Sequence, residues 1–204
     1  MTAIIDYGAG NIRSVQNALT ILGEESILTK DPERLLSAEH IILPGVGAFG
    51  DAMAAIRALS LEEVIREAVR REIPFLGVCL GLQLLFEESE ESPGVKGLGL
   101  LPGKILRIPE GEGRKIPQIG WNDLTYPSAG RLFEGVPEHS YVYFVHSYYL
   151  RAQEPEIVKA RTGYGVEIDA SVEKGNLFAC QFHPEKSAAP GLKMLENFLR
   201  IGRS

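Results

Sequence analysis

The chain has 204 residues, of which 45% are hydrophobic, and a formal net charge of −6 at pH 7. A domain of this length buries roughly 70% of its unfolded surface, so neither a disulfide nor a metal is needed to hold it together. The mild charge without a basic stripe argues against nucleic acid as a partner, and no apolar run reaches membrane-spanning length.

The first half of the chain alternates short apolar runs with helical patterns. The apolar runs at 3–5, 26–29, 40–43 and 75–78 are typical of buried strands, and the helical patterns cover 12–22 and 61–71. In the second helix, Leu61, Ile65 and Ala68 share one face. Such alternation predicts a mostly parallel central sheet that is flanked by helices.

The second half is rich in strand-like segments that turns separate. These segments cover 103–108, 141–150, 157–161 and 177–182, and a last helix covers 191–201. They predict a smaller antiparallel extension of the sheet. The acidic run at 87–91 is interpreted as a solvated loop. We find no linker or internal repeat, so we expect a single α/β domain over 1–204.

A cysteine lies where the strand at 75–78 should turn into a helix. Cys79 stands between Gly77 and Gly81, which is the cysteine form of a nucleophile elbow. Glycines fit on both sides because a side chain there would collide with the bend. Since a helix N-terminus also favours a thiolate over a thiol, Cys79 is predicted to be a nucleophile.

A cysteine nucleophile needs a base, and the base needs a group that orients it. His183 and Glu185 are two residues apart at a strand end, so their side chains leave from the same face. An ordinary strand-end turn is the alternative interpretation, which the elbow cysteine disfavours. His146 has no carboxylate two residues away and is by default a packed strand histidine. Cys180 is interpreted as a small core residue.

An acyl intermediate needs hydrogen-bond donors for its developing oxyanion. One candidate is the backbone N–H of Leu80. The second is the Val46–Gly47 peptide in the glycine-rich loop at 44–49, for which a plain strand-to-helix turn is the alternative. Because glycines flank Val46, rotation of this peptide should cost little, and we expect this half of the oxyanion hole to be adjustable.

The sequence predicts neither a metal nor a cofactor. A dinucleotide fingerprint after the first strand lacks its third glycine, where Arg13 stands. Cys79, His183 and Glu185 lack a fourth ligand at the spacing of a zinc site. Two cysteines are too few for a disulfide framework, and a reactive free cysteine fits a reducing cytoplasm.

Two motifs resemble those of the class I glutamine amidotransferases: Gly-Val-Cys-Leu-Gly-Leu-Gln at the elbow and Phe-His-Pro-Glu after the last strand. The resemblance covers essentially the whole chain and implies a triad of Cys79, His183 and Glu185. It implies that the cysteine attacks the side-chain amide of glutamine, that ammonia leaves, and that water hydrolyses the thioester. The implied substrate pocket has four residues: Gln83, His146, Ser147 and Tyr148. Tyr148 is equally open to interpretation as a core aromatic.

Four segments, at 6–11, 44–49, 120–122 and 146–148, resemble the glutaminase subunits of imidazole glycerol phosphate synthase in histidine biosynthesis. Gln118 departs from that family's pattern, in which histidine is expected. The resemblance implies a heterodimer with a (β/α)₈ cyclase that makes imidazole glycerol phosphate and aminoimidazole carboxamide ribonucleotide. Because free ammonia becomes ammonium in water, we expect direct delivery to that partner, and the motifs leave no room in this chain for an ammonia-using domain. The implied docking face has four candidates: Asn11, Trp121, Asn122 and Lys186. Core packing of Trp121 and a plain surface charge at Lys186 are the alternatives.

Three other functions stay open at this point. The first is a glutaminase subunit of another synthase, such as the one that makes pyridoxal phosphate, against which the Pro-Gly-Val-Gly and Gly-Trp-Asn segments argue. The second is a cysteine hydrolase of γ-glutamyl peptides, which shares the elbow and needs no partner. The third is a binding module without activity, against which the intact Cys-His-Glu set argues.

Overall fold

The computed structural model describes residues 1–202, which form one large sheet, two small sheets and six α-helices. The helices are α1 (Ile12–Ile21), α2 (Pro32–Leu36), α3 (Phe49–Ala58), α4 (Leu61–Arg70), α5 (Leu80–Leu84) and α6 (Ala188–Arg200). The strands are β1 (Thr2–Ile5), β2 (Ser26–Thr29), β3 (His40–Leu43), β4 (Phe75–Val78), β5 (Glu88–Ser89), β6 (Gly103–Arg107), β7 (Gln118–Asp123), β8 (Tyr141–His146), β9 (Tyr148–Ala152), β10 (Val158–Gly163), β11 (Glu167–Lys174) and β12 (Leu177–Cys180).

The large sheet has the strand order β10-β11-β12-β4-β3-β1-β2. The strands from β12 to β2 run parallel, and β11 and β10 continue the sheet antiparallel beside β12. The predicted mostly parallel sheet with an antiparallel extension is therefore confirmed. Helices cover both faces of the large sheet. Because successive strand residues point to opposite faces, they pack into two different hydrophobic cores. Ile5 packs in the core that includes α3 and α4, and Ile4 packs in the core that includes α1 and α6.

The structure contains helices and strands that the sequence pattern did not predict, namely α2, α3, β5, β7 and β11. The single strand predicted over 141–150 is wrong, since it is two strands that separate at Ser147. β8 pairs with β7, whereas β9 pairs with β6 in the other small sheet. Among the described residues, no helix is both long and apolar enough to cross a membrane.

Candidate active site

The chain reverses direction between β4 and α5 at one residue. Cys79 has φ 56° and ψ −110°, a conformation that residues with a side chain rarely adopt. Its N–H donates to the carbonyl of Cys180 at 2.8 Å, and its carbonyl accepts from the N–H of Leu82 at 3.0 Å. These bonds hold the turn in place, so the predicted elbow is present in the structure.

Close contacts around the elbow explain its glycines. A Cβ at Gly81 would lie 2.0 Å from the carbonyl oxygen of Leu43, and one at Gly77 would lie 2.7 Å from the carbonyl oxygen of Gly81. A Cβ at Gly45 would lie 2.7 Å from the Cβ of Leu80. Since real Cβ atoms do not approach so closely, the elbow, the end of β3 and the loop after β3 can meet only as glycine backbone.

His183 and Glu185 lie beside the elbow because β12 pairs with β4 in parallel, with Cys180 opposite Val78. The Nδ1 atom of His183 is 2.8 Å from Oε1 of Glu185, and each side chain is 2% exposed. The backbone N–H of His183 donates to the carbonyl of Tyr143 at 2.9 Å. Sheet register therefore joins residues that are distant in sequence.

The electrostatics of His183 favour its charged form. Burial alone would lower the pKa of this imidazole, but its contacts with Cys79 and Glu185 outweigh burial and raise the pKa to about 9. The Nε2 atom is buried without a conventional hydrogen bond and is the ring nitrogen left for the Cys79 thiol, because Glu185 holds Nδ1. A thiolate beside an imidazolium is the arrangement that a cysteine nucleophile requires.

A cavity of about 270 Å³ opens beside Cys79 and His183. This is just below the roughly 300–1,000 Å³ of ordinary ligand pockets, so a small metabolite suits it. The structure brings together at this cavity all of the residues that were predicted for the oxyanion hole and the substrate pocket: Val46, Gly47, Leu80, Gln83, His146, Ser147 and Tyr148. Tyr148 also packs against the core.

The loop at 44–49 forms one wall of the cavity and leads into α3. Its start is anchored by the Tyr7 hydroxyl, which donates to the carbonyl of Pro44 at 2.8 Å. Burial, together with the nearby Cys79, raises the pKa of Tyr7, so this phenol stays neutral. Gly47 has φ 100°, a value that favours glycine, and open space surrounds it.

His146 is a buried member of the cavity wall. Its Nδ1 lies 2.8 Å from the carbonyl of Tyr148 and its Nε2 lies 2.9 Å from Oε1 of Gln118. Burial lowers the pKa of His146 to about 4, so the ring is neutral at pH 7. A neutral ring donates through one nitrogen only, and a half-turn of the Gln118 amide completes the second hydrogen bond. Gln118, the departure from the family pattern, is thus a partner of His146.

We expect His146→Gln to reduce the loss of stability in acid. Between its ordinary pKa of 6.5 and its folded pKa of about 4, His146 binds a proton in the unfolded chain but not in the folded one. The free energy of unfolding therefore falls as pH falls, by up to about 1.4 kcal/mol per pH unit, and the variant lacks this contribution. Urea unfolding from pH 4.5 to 7.5 measures it. The control is His139→Gln: the hydrogen bond with Asp123 raises the pKa of this exposed ring, so its replacement should not reduce the loss of stability in acid. A His146→Gln slope equal to that of the wild type would contradict the assignment.

The interpretation of 87–91 as a solvated loop is wrong in part. Ser89 is buried, and Glu91 lines the cavity. The Oε2 atom of Glu91 accepts from the N–H of Phe49 at 2.8 Å, at the start of α3. Sequence reasoning missed Glu91 because nothing in a run of acidic residues indicates which carboxylate accepts from the N-terminus of a distant helix, here α3.

Two of the docking-face candidates lie together. Trp121 is 53% exposed, so the core-packing interpretation is wrong. Its ring meets the ring of Tyr143 edge-on at 6.0 Å, and Nζ of Lys186 lies 5.8 Å from the centre of the Tyr143 ring. Asn122 instead donates its side-chain amide to a carbonyl of β10, and Asn11 precedes α1, which packs against the turn that carries Lys186.

Comparisons with known proteins identify the family of this chain. Residues 3–201 match the family model described as glutamine amidotransferase class-I. The imidazole glycerol phosphate synthase subunit HisH of Moorella thermoacetica is 52% identical over 201 residues, which cover 98% of this chain and 95% of that relative. The subunit of the same name from Methanothermobacter thermautotrophicus is 50% identical over 204 residues, 100% of both chains. A solved structure, PurLQS from Thermotoga maritima, has a TM-score of 0.76 and 25% identity over 98% of this chain and 97% of that chain. The chain therefore belongs to the class I glutamine amidotransferase family, and within it to the HisH subunits of imidazole glycerol phosphate synthase.

Proposed function

We propose that the chain hydrolyses the side-chain amide of glutamine to glutamate and ammonia, as the glutaminase subunit of imidazole glycerol phosphate synthase in histidine biosynthesis. The observation that carries this proposal is the meeting of Cys79, His183 and Glu185 beside one cavity. The names of relatives that match nearly the full chain supply the pathway. We further propose that 1–204 is one domain and acts in the cytoplasm, where its two free cysteines stay reduced.

The mechanism begins with transfer of the Cys79 thiol proton to Nε2 of His183. The thiolate attacks the carboxamide carbon of glutamine, and the imidazolium then protonates the leaving nitrogen, which departs as ammonia. Water gives a proton to His183 and cleaves the thioester, which releases glutamate and restores the thiol. Glu185 fixes Nδ1 and stabilises the imidazolium, in keeping with the raised pKa of His183.

The oxyanion of each tetrahedral intermediate needs donors at the cavity wall. The backbone N–H of Leu80 lies on the rigid elbow, and the Val46–Gly47 peptide is the second candidate. Contacts crowd Gly45 on one side of this peptide, whereas open space surrounds Gly47 on the other. Gly47 also has φ 100°, so the Val46–Gly47 peptide has the backbone freedom of glycine beside it, which supports an adjustable second donor.

The substrate pocket must hold both charges of the free amino acid. Glu91 supplies a carboxylate at the cavity, and the loop that carries it is fixed to α3 by the bond to Phe49. We assign this carboxylate to the α-ammonium group of glutamine. Gln83, His146, Ser147 and Tyr148 form the remaining wall, with His146 held neutral by burial.

Replacement of Glu91 by Gln is expected to raise KM for glutamine about tenfold while kcat changes little. The variant keeps an oxygen for the N–H of Phe49 but loses the charge, and a charge-assisted hydrogen bond is worth about 1.5–3 kcal/mol. Steady-state glutaminase kinetics with the cyclase present measure the change. Glu90→Gln is the matched control, because Glu90 likewise accepts a backbone N–H, that of Arg107, but does not line this cavity. Equal effects of the two substitutions would refute the assignment.

The docking surface for the (β/α)₈ cyclase is proposed to be the outward face of β7 and β8. Three large hydrophobic side chains are exposed there: Ile119, Trp121 and Tyr141. Strand alternation and the β7–β8 register place them on one face, together with Tyr143 and Val145. Exposed apolar patches with aromatic anchors are typical of interfaces. Val145 also lines the cavity, so a partner on this face would receive ammonia over a short distance.

The test of the proposed function is glutamate release, measured for the chain with and without the cyclase subunit. Glutamine and γ-glutamyl peptides are compared at equal concentrations. We expect hydrolysis of glutamine, stimulated by the cyclase, and no hydrolysis of the peptides. Peptide hydrolysis that is independent of the cyclase would favour the γ-glutamyl hydrolase alternative, and no hydrolysis of either would favour a binding module.

A further inference from the structure

Gln181 is a buried side chain beside the nucleophile that the mechanism above does not use. It follows β12 and is fully buried, and its backbone N–H donates to the carbonyl of Ala170 at 2.8 Å. Its side-chain amide spans the gap between Cys79 and Gln83. The Nε2 atom is 3.7 Å from Sγ of Cys79, and Oε1 is 3.1 Å from Nε2 of Gln83. Buried amides need such partners, because an unsatisfied polar group is costly.

The carbonyl of Tyr148 fixes the direction of every hydrogen bond in this group. A carbonyl can only accept, so Gln83, whose side-chain nitrogen is 3.0 Å away, must donate to it. The same nitrogen of Gln83 therefore faces Gln181, which must accept through Oε1. This orientation turns the amide nitrogen of Gln181 toward Cys79, and the sulfur meets an N–H donor.

The sulfur has a second neighbour, which can only accept hydrogen bonds. Sγ of Cys79 lies 3.8 Å from the carbonyl of Val145, which accepts from a thiol but cannot donate to a thiolate. When the proton moves to Nε2 of His183, the S–H···O contact is lost and the N–H···S contact with Gln181 strengthens, because hydrogen bonds to ionised groups are roughly twice as strong as neutral ones.

We propose that the side-chain amide of Gln181 is a hydrogen-bond donor to the thiolate of Cys79 and connects the nucleophile to the substrate pocket through Gln83. This role rests on the proposed function of Cys79 as the nucleophile. It makes Gln181 a fourth side chain of the reacting group, one that touches the sulfur without exchanging a proton with it.

Alkylation of Cys79 by iodoacetamide tests the proposal without glutamine or the cyclase. Gln181→Met keeps the length of the side chain and removes the donor to the sulfur without adding a charge, while Gln83 keeps its bond to the carbonyl of Tyr148. We expect Cys79 in this variant to react about tenfold more slowly at pH 7, with the pH midpoint of the reaction moved upward, since the lost bond is to a charged group. Mass spectrometry of the Cys79 peptide gives the rate. Cys79 in Gln153→Met, the same change at an exposed glutamine, should react at the wild-type rate.

A wild-type rate and pH profile in folded Gln181→Met would overturn the proposal. If that variant does not fold, the wild-type chain provides a second measurement. The side-chain amide resonances of ¹⁵N-labelled Gln181 should shift with the pH midpoint of alkylation, and this step should be absent in Cys79→Ser. Resonances that do not follow the titration of Cys79 would also overturn it. Failure to hydrolyse glutamine would refute the proposed function but leave both of these readouts intact.

Discussion

Replacement of Cys79 by Ala is expected to abolish glutamine-dependent synthesis by the assembled synthase, with a loss of at least about a thousandfold, while synthesis from added ammonium salt stays largely intact. The sulfur forms the thioester, and loss of a nucleophile removes covalent catalysis as a whole. Ammonium salt bypasses this step. Alanine meets the same positive φ as cysteine, so the elbow should persist. Product formation from each nitrogen source, measured on the purified complex, gives the two rates.

Cys180→Ala is the control for this substitution. Cys180 is buried in β12 with its sulfur 3.4 Å from the carbonyl of Phe182, and burial, together with Glu185 and Cys79, raises the pKa of its thiol. It should therefore stay an unreactive thiol, and its loss should leave glutamine-dependent synthesis near the wild-type rate. If Cys79→Ala instead abolished synthesis from both glutamine and ammonium salt, Cys79 would have a structural role.

Replacement of Gly81 by Ala is expected to destabilise the chain by more than about 3 kcal/mol, or to prevent folding. The added Cβ would lie 2.0 Å from the carbonyl oxygen of Leu43, and neither backbone can retreat without opening the pairing of β3 with β4. Overpacking of a rigid site costs about 1–3 kcal/mol, and contact with backbone rather than side chain places this case at or above the upper end. Urea unfolding followed by circular dichroism measures the loss.

The matched control is Gly163→Ala at the exposed end of β10. No atom lies within 4 Å of the position that its Cβ would take, so the change in unfolding free energy should stay within about 0.5 kcal/mol. If the two variants lost similar amounts of unfolding free energy, the cause would be the replacement of any glycine by alanine, and not the contact of the new Cβ with Leu43.

The sequence predicts most of the elbow and of the His183–Glu185 pair because both depend on local turn chemistry. Glycines at fixed distances from Cys79, after an apolar strand, define the bend without any tertiary information. The pairing of β12 with β4, which brings His183 to the sulfur, is non-local, and only the need of a nucleophile for a base suggested it. Gln181 and Glu91 carry no such local signal and emerge only from contacts.

The errors of the fold prediction have physical causes. The start of α3 was hidden because Gly45, Gly47 and Gly50 dominate the local pattern and resemble a long loop. The break at Ser147 was missed because no glycine or proline marks it, since the two halves separate by joining different sheets. The exposure of Trp121 could not be predicted, because the strand that carries it was not predicted and an aromatic residue suits either face of a strand.

Backbone carbonyls of β8 and β9 contact groups of the active site. Those of Tyr143, Val145 and Tyr148 contact the N–H of His183, the sulfur of Cys79 and the side chain of Gln83, respectively. A carbonyl is supplied by any amino acid, whereas the outward side chains of β8 belong to the proposed docking surface. On this proposal, recognition of the synthase depends on the side chains of the segment and hydrolysis on its backbone carbonyls. Mutations could change the choice of synthase over evolutionary time while the hydrolytic chemistry stays the same.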